Sequence, residues 1–142
     1  MAILNGTEIK VYSSGTTNLV AYAQSCTLNI THSVRDITNK ESGGWKEVLE
    51  GLREFTIDID GAYAWTDASG SAIANGIDDL ISSEIITRTS VDFIFGDTAA
   101  TSDVSYSGKG YLTSVSLTGG TEDTATYSMT IEGTAALTQT VT

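Results

Sequence analysis

Four segments of the chain alternate polar and apolar residues one by one, and this pattern constrains the fold more than any other feature. In residues 54–60, Phe55, Ile57 and Ile59 alternate with Glu, Thr and Asp. A period of two is typical of a β-strand with one buried side and one wet side. The same alternation continues in residues 25–32, 111–118 and 126–132. It predicts a mainly β fold with antiparallel strands.

The spacing of turn residues predicts how some of these strands pair. Residues 111–118 and 126–132 are separated by a loop at 119–123, which favours a hairpin. Residues 8–12 and 19–23 form a first candidate hairpin across the turn at 13–18. Residues 85–95 are predicted as a further strand, and the last six residues are either a seventh strand or a loose tail.

One segment has the period of a helix. In residues 71–83, Ile73, Ile77, Leu80 and Ile81 recur at the spacing of one helical face. We therefore expect one α-helix flanking the sheet. The 142 residues suffice for one domain, residues 1–142, that buries roughly two-thirds of its extended surface.

The charge of the chain is strongly negative. Seven basic and eighteen acidic residues give a formal charge of −11, which disfavours a protein that grips DNA or RNA. The first ten residues hold no apolar run of the length of a signal peptide, and no segment approaches the roughly 20 apolar residues of a membrane span. We expect folding in the cytoplasm and no membrane partner.

The residues that carry catalysis in other proteins are sparse here. Cys26 and His32 are the only cysteine and histidine, and there is no nucleophile elbow. Asp58 and Asp60 share a face because the pleat of a strand places them there, although a weak cation site at this pair remains an alternative. Gly108-Lys109-Gly110 is interpreted as a bulge or a tight approach at the head of a strand. We expect no enzyme, no metal site and no cofactor.

The polar sides of the four alternating segments contain Ser, Thr, Asn, Asp and Glu but no Lys or Arg. If these segments form one sheet, the sheet presents a broad surface that is neutral to acidic. Surface strands usually also carry lysine, so the absence of basic residues calls for a cause, although seven basic residues are few enough for chance to contribute.

Three parts of the sequence resemble a known family. The run DITNKESGGWKE at residues 36–47, with Leu49, Gly51-Leu52-Arg53 and the strand that ends at Asp60-Gly61, is the most specific. The opening residues 1–6 and the closing residues 108–133, which include GGTEDTATYSMTIEG, complete the pattern. Together they resemble the major tail proteins, or tail tube proteins, of long-tailed siphovirus-type bacteriophages.

The resemblance implies an antiparallel β-sandwich or barrel-like tail-tube fold with a flanking helix. It implies a homo-oligomer of six-membered rings stacked into a tube, through which DNA passes without specific binding during ejection. Tape-measure, tail terminator and distal tail proteins are the implied partners, in a virion assembled in the host cytoplasm. The polar strand faces would then line the lumen, and the predicted lumen-lining residues are Glu54, Thr56, Asp58, Asp60, Ser128, Thr130 and Glu132.

The resemblance also implies that residues 33–52 form an extended loop that contacts a neighbouring subunit or ring. Mixed charges at such a rim set register and partner choice. The predicted contact residues are Arg35, Asp36, Lys40, Glu41, Gly43, Gly44, Trp45, Lys46 and Glu47. Trp45 is either an interface anchor or a core plug, and in the second case Val48, Leu49 and Leu52 complete a short helical turn beneath the loop.

A second hypothesis belongs to a different class of protein. A β-sandwich binding module that recognises carbohydrate or protein at a cell surface is also rich in Ser and Thr, and Trp45, Trp65 or a loop tyrosine would be its stacking platform. The absence of a signal segment favours the tail tube.

Overall fold

The computed structural model describes residues 6, 9–13, 23–65, 69–71, 77–96 and 103–141. Six strands and a short helical region succeed one another in these residues. They are β1 (Lys10–Ser13), β2 (Ala23–Asp36), a 3-10 turn (Lys40–Ser42), β3 (Val48–Ala62), α1 (Ile77–Leu80), a π-helical turn (Ile81–Ile86), β4 (Val91–Gly96), β5 (Val104–Thr118) and β6 (Thr126–Val141). The fold is mainly β, as the alternation predicts.

All six strands belong to one antiparallel sheet with the order β1-β4-β5-β6-β3-β2. The predicted hairpin of β5 and β6 is present, with Thr118 opposite Thr126. The last residues extend β6 as far as Val141 and are neither a separate strand nor a loose tail. In the described part of the chain, no helix is long and apolar enough to cross a membrane.

The sheet curls into a barrel-like shape. Phe55 on β3 and Phe93 on β4 pack edge to face, with ring centroids 5.6 Å apart. In a flat sheet three strand spacings, about 14 Å, would separate β3 from β4. The Cys26 Sγ on the edge strand β2 also lies 3.8 Å from the Ile9 carbonyl oxygen, next to the opposite edge. Curling therefore encloses the core and brings the two edges together.

The core consists of the inward side of this curled sheet and one helical side chain. Its buried residues are Val11, Phe55, Ile57, Ile59, Leu80, Val91, Phe93, Tyr127, Met129 and Ile131. The apolar sides predicted for residues 54–60 and 126–132 are thus confirmed. On β2, Cys26 and Leu28 are partly buried against the core, but Ile30 is 58% exposed because it lies where the core ends.

The helical region differs in its bounds from the predicted helix at 71–83. Residues 72–76 lie outside the described residues, and Ser71 is not helical. The helical turns continue to Ile86, so the strand predicted for residues 85–95 is wrong in its first half, and β4 begins at Val91. Leu80 is buried and Ile81 packs against the core, as expected for a helix that covers one side of the sheet.

The first strand of the predicted N-terminal hairpin pairs with β4 in the described residues. β1 pairs with β4, with Val11 opposite Phe95. Residues 19–22, the proposed partner strand, lie outside the described residues. The pairing with β4 places Val11 in the core, where it is 2% exposed.

The predicted extended loop at 33–52 is mostly a β-hairpin. β2 continues to Asp36 and β3 starts at Val48, so only residues 37–47 connect the strands. Val48, Leu49 and Leu52 therefore belong to a strand and not to a helical turn. The predicted bulge at Gly108-Lys109-Gly110 is present, since the β5–β6 register shifts between Ser107 and Lys109, but the segment lies in the middle of β5 and not at the head of a strand.

Candidate functional site: a polar face and an arm

The outward side of the four strands β2, β3, β6 and β5 forms one continuous polar surface. Their register places Thr27, Asp58, Thr130 and Ser114 in one row and Ser25, Asp60, Ser128 and Ser116 in the next. A third row contains Asn29, Thr56 and Glu132, and on β5 it continues with Tyr111, which is 49% exposed. We call the eleven residues other than Tyr111 the polar face. It contains no Lys or Arg.

Hydrogen bonds fix the carboxylates in the middle of the polar face. Asn29 Nδ2 donates to Asp58 Oδ2 at 3.0 Å, and Thr130 Oγ1 donates to Asp58 Oδ1 at 2.8 Å. Ser25 Oγ donates to Asp60 Oδ2 at 3.3 Å. The negative charge is therefore held in place by three neighbouring strands and does not depend on a mobile side chain.

Six of the seven predicted lumen-lining residues lie together on the polar face. The seventh, Glu54, is on the same side of β3 opposite Thr31, but it lies beyond the last β3–β6 pair at Thr56 and Glu132. Among the described residues, no group of three or more His, Cys, Asp or Glu side chains is arranged to hold a metal ion.

One titratable group lies just beneath the polar face. Tyr127 is 2% exposed and lies at the start of β6, directly before Ser128 of the polar face. Burial and, to a smaller extent, the nearby Asp60 charge raise the pKa of Tyr127 from 10.0 to about 12, because both disfavour a phenolate.

The hairpin of residues 32–53 projects from the barrel, and we call it the arm. β6 accompanies β3 only as far as Thr56, so the seven residues 48–54 of β3 are paired with β2 alone. At about 3.3 Å per residue, the arm extends roughly 20 Å beyond the core. It lies at the opposite end of the strands from the β5–β6 loop.

A β-bulge marks the base of the arm. Gly51 and Leu52 together oppose the single residue Ser33, and Ser33 Oγ donates to the Leu52 carbonyl oxygen at 3.1 Å. A Cβ at Gly51 would lie 2.7 Å from Ser33 Oγ and 2.8 Å from the Ser33 carbonyl oxygen. A bulge inserts one residue. On the tip side of the bulge, residues 48–50 of β3 therefore point to the opposite sides from those that the alternation of residues 53–60 would give them.

The exchange leaves apolar residues on both sides of the arm. Val34 and Val48 lie on the side that continues the core, whereas Leu49 lies on the side that continues the polar face. They are 53%, 47% and 48% exposed, and Leu52 is 83% exposed. None of these four residues was among the predicted contact residues, since Val48, Leu49 and Leu52 were considered only as a helical turn beneath the loop.

The tip of the arm is a well-bonded turn. Asn39 caps the 3-10 turn through a hydrogen bond from the Glu41 amide at 2.8 Å. The Glu47 amide donates to Thr38 Oγ1 at 2.8 Å, which closes the turn. Hydrogen bonds from the Thr38 side chain and amide lower the pKa of Asp36. The tip therefore has one defined shape.

The structure places all nine predicted contact residues on the arm. Arg35 and Asp36 end β2, Lys40 and Glu41 lie in the 3-10 turn, and the others connect this turn to β3. Gly43 and Gly44 have φ values of 65° and 86°, which glycine adopts most readily. Trp45 is 80% exposed, so within one subunit it is not a core plug. His32 is exposed at the base of the arm, opposite Arg53.

Comparisons with known proteins agree with this geometry. The family model described as phage tail tube protein matches residues 5–139. A chain in the virion of a native gene transfer agent particle is 20% identical, with a TM-score of 0.77 over 97% of this chain and 99% of that chain. A chain from the tail of an empty gene transfer agent particle, refined with C6 symmetry, is 20% identical, with a TM-score of 0.74 over the same shares.

A third solved structure is a more distant neighbour. The SPP1 tail tube subunit is 11% identical, with a TM-score of 0.71 over 99% of this chain and 80% of that chain. The comparison with curated protein sequences found no match. Because the family model spans nearly the whole chain, this protein belongs to the phage tail tube protein family and is a structural subunit of a tail tube.

Proposed function

We propose that six copies of this chain form a ring, that the rings stack into a hollow tube, and that DNA passes through this tube during ejection. The C6 symmetry of the tail to which the chain is structurally similar supports the six-fold ring. The β3 half of the arm, which pairs with β2 alone, supports it physically, since a closed ring of identical subunits can pair strand edges that a monomer leaves open.

The polar face carries this proposal. It lines the lumen together with Glu54, and each ring presents six copies of its fixed carboxylates to the DNA. A Lys or Arg here would attract the phosphate backbone and hold the DNA. Since the polar face lacks both, DNA slides along a wall that repels it weakly and binds it nowhere.

The arm supplies contacts between subunits. Its nine predicted contact residues and the exposed Val34, Val48, Leu49 and Leu52 become buried against other copies. Apolar residues on both sides of the arm fit a segment that is covered from two directions. The tube subunit is structural and not catalytic, is assembled in the host cytoplasm, and meets tape-measure, tail terminator and distal tail proteins in the virion.

Negative-stain electron microscopy of the purified protein tests the assembly. Rings or tubes with a central hole are expected. A protein that remains a monomer at every concentration and salt tested would contradict the proposal.

Substitutions on the polar face test the conduit. Replacing Asp58, Asp60 and Glu132 with lysine should leave tubes intact but slow DNA release from assembled particles. The control has Asn, Asn and Gln at these positions, which removes the charge without adding a positive one, and it should release DNA nearly as the wild type does. Equal release rates for the lysine variant and the control would contradict a lumenal position.

A further inference from the structure

An exposed aromatic pair lies next to the β5–β6 loop, at the opposite end of the barrel from the arm. Tyr63 and Trp65 follow β3, and the Tyr63 amide donates to the Ala125 carbonyl oxygen at 2.9 Å, which fixes this segment against the loop. The two rings are nearly perpendicular, with an angle of 86° and a centroid distance of 6.3 Å. Trp65 is nevertheless 75% exposed. The ring faces therefore form a corner that is open to solvent.

Hydrogen bonds hold the two rings in this orientation. Trp65 Nε1 donates to Tyr63 Oη at 2.7 Å, and Tyr63 Oη donates to Asp78 Oδ1 at 3.0 Å. The polar atoms of both rings are thus bonded within the protein, which leaves the ring faces as the contact surface. A hydrogen bond from a phenol to a carboxylate also moves electron density into the ring, because linked hydrogen bonds polarise one another. The Tyr63 face therefore becomes a better partner for a positive charge.

A small pocket opens beside the two rings. It has a volume of about 300 Å³ and is lined by Tyr63, Ala64, Trp65 and Ala125. We call these four residues the aromatic corner. The volume is at the lower end of the range of ligand pockets, about 300–1,000 Å³. The aromatic corner therefore has room for one small group with an apolar outer surface.

The parts of the chain that form this end of the barrel carry a strong negative charge. Residues 54–87 and 110–142 contain ten of the eighteen acidic residues and no Lys or Arg. Asp78 bonds directly to Tyr63, and Glu122 and Asp123 lie in the loop that leads to Ala125. The electrostatic potential at the aromatic corner therefore attracts cations and disfavours anions.

We propose that the aromatic corner binds a methylated ammonium group, such as that of choline or of trimethyllysine. Cations bind over the faces of Trp and Tyr within about 6 Å of the ring centroid, and recognition of quaternary ammonium groups is the main functional use of such aromatic sites. The methyl groups of the ligand fit the alanine side chains of the pocket. An unmethylated lysine is less suitable, because its ammonium group is strongly hydrated.

A sugar is a poorer ligand for this site. Its hydroxyl groups need hydrogen-bonding partners, whereas Trp65 Nε1 and Tyr63 Oη already bond to protein atoms. The hydrogen bonds that orient the rings thus favour a ligand that is held by charge and by ring faces. Binding requires one subunit only, so this inference does not depend on the proposed tube.

NMR titration of isotope-labelled, unassembled subunits with choline tests the inference. Trp45 and Trp65 give separate indole N–H signals, and we expect the Trp65 signal to move in a saturable way. Trp45 is the internal control, because it is 80% exposed but lies at the arm tip, and its signal should not move. The neutral isostere of choline, in which a tert-butyl group replaces the trimethylammonium group, should bind at least about fivefold more weakly. Equal affinities for the two compounds, or an unmoved Trp65 signal, would overturn the inference.

Two tryptophan variants form a matched pair. Trp65→Leu removes an aromatic face but keeps an apolar side chain, and it should weaken choline binding by at least about tenfold, as read from the Ala125 amide signal. Trp45→Leu should bind choline as the wild type does. Unchanged amide signals away from the pocket show that each variant is folded. Undiminished binding by Trp65→Leu would contradict a site at the aromatic corner.

A third variant and a second ligand define the role of charge and the source of the cation. Asp78→Asn keeps a hydrogen-bond acceptor for Tyr63 but removes the negative charge, so it should weaken choline binding by about threefold and leave binding of the neutral isostere unchanged. Equal effects on both compounds would contradict the role of charge. A peptide with one trimethyllysine is titrated in parallel. Tighter binding of the peptide than of choline identifies a side chain of a partner protein as the ligand, and weaker binding identifies a free cation.

Discussion

The two halves of β3 have similar composition but opposite environments. In residues 55–62, Ile57 and Ile59 are fully buried. In residues 48–54, Leu49 is 48% and Leu52 is 83% exposed. The difference arises from the neighbouring strands. Residues 55–62 lie between β2 and β6, whereas residues 48–54 pair with β2 alone. One strand thus stabilises the subunit with one half and leaves apolar side chains exposed on the other, where we propose that other copies bind.

Alanine substitutions in the two halves should separate these roles most strongly. Ile57→Ala removes buried methyl groups and should lower the free energy of unfolding by about 2–5 kcal/mol. Leu49→Ala should change it by less than about 0.5 kcal/mol, because the side chain is exposed in the monomer. Urea denaturation of unassembled subunits measures both. Equal losses for the two variants would contradict the division, and tube formation should fall for Leu49→Ala.

Two glycines that tolerate no Cβ provide a second contrast. A Cβ at Gly110 would lie 2.6 Å from Ile131 Cγ2 and 2.7 Å from the Glu132 carbonyl oxygen, so Gly110→Ala should cost about 1–3 kcal/mol through overpacking. Gly51→Ala should disturb the bulge at the base of the arm. Its effect should appear chiefly in tube assembly, while denaturation shows a smaller loss than for Gly110→Ala. The reverse order would contradict the prediction.

The loss of stability at alkaline pH should report on the core, which contains Tyr127, and not on the arm. Since the folded state raises the pKa of Tyr127 to about 12, the folded state retains the phenolic proton more strongly than the unfolded chain does. This contribution is complete below pH 10 and is lost as the pH rises towards about 12. The free energy of unfolding of the wild type should therefore decrease more steeply over this range than that of Tyr127→Phe. Parallel curves would contradict the prediction.

The smallest effect is expected at the arm tip. The hydrogen bonds from Thr38 lower the pKa of Asp36, so their stabilisation is present above its ordinary value of 3.8 and is lost as the pH falls through the folded pKa. NMR titration of the Asp36 carboxyl group should give a midpoint below 3.8 in the wild type. Thr38→Ala should move the midpoint upwards. Global unfolding should hardly change, since Asp36 is exposed.

The sequence predicts the core half of β3 well and the arm poorly. Alternation identifies a buried side when both neighbouring strands are present, as for Phe55, Ile57 and Ile59. It does not distinguish a core from an interface, because both need apolar residues at the same spacing. Val48 and Leu49 therefore suggested cover for a loop, although they lie on a strand that continues past the core.

Two other differences have equally local reasons. Ile85 and Ile86 have the β-branched character of a strand, but they continue the helical turns that follow the buried Leu80. β1 is too short to identify β4 as a partner from sequence, and this pairing buries Val11. The polar face was predictable residue by residue, whereas the rows that join its strands, and the hydrogen bonds to Asp58, depend on register.

The order of strand pairing has a consequence for newly made subunits. The arm closes early, because Asp36 and Val48 are only twelve residues apart in the chain. The pair Thr56 and Glu132 is separated by 76 residues, and a contact of that sequence distance forms slowly because a long loop must close first. A nascent chain therefore displays the exposed apolar residues of this hairpin before it has a core. During synthesis at high local concentration, the hazard for this protein is early association through a segment that is already native.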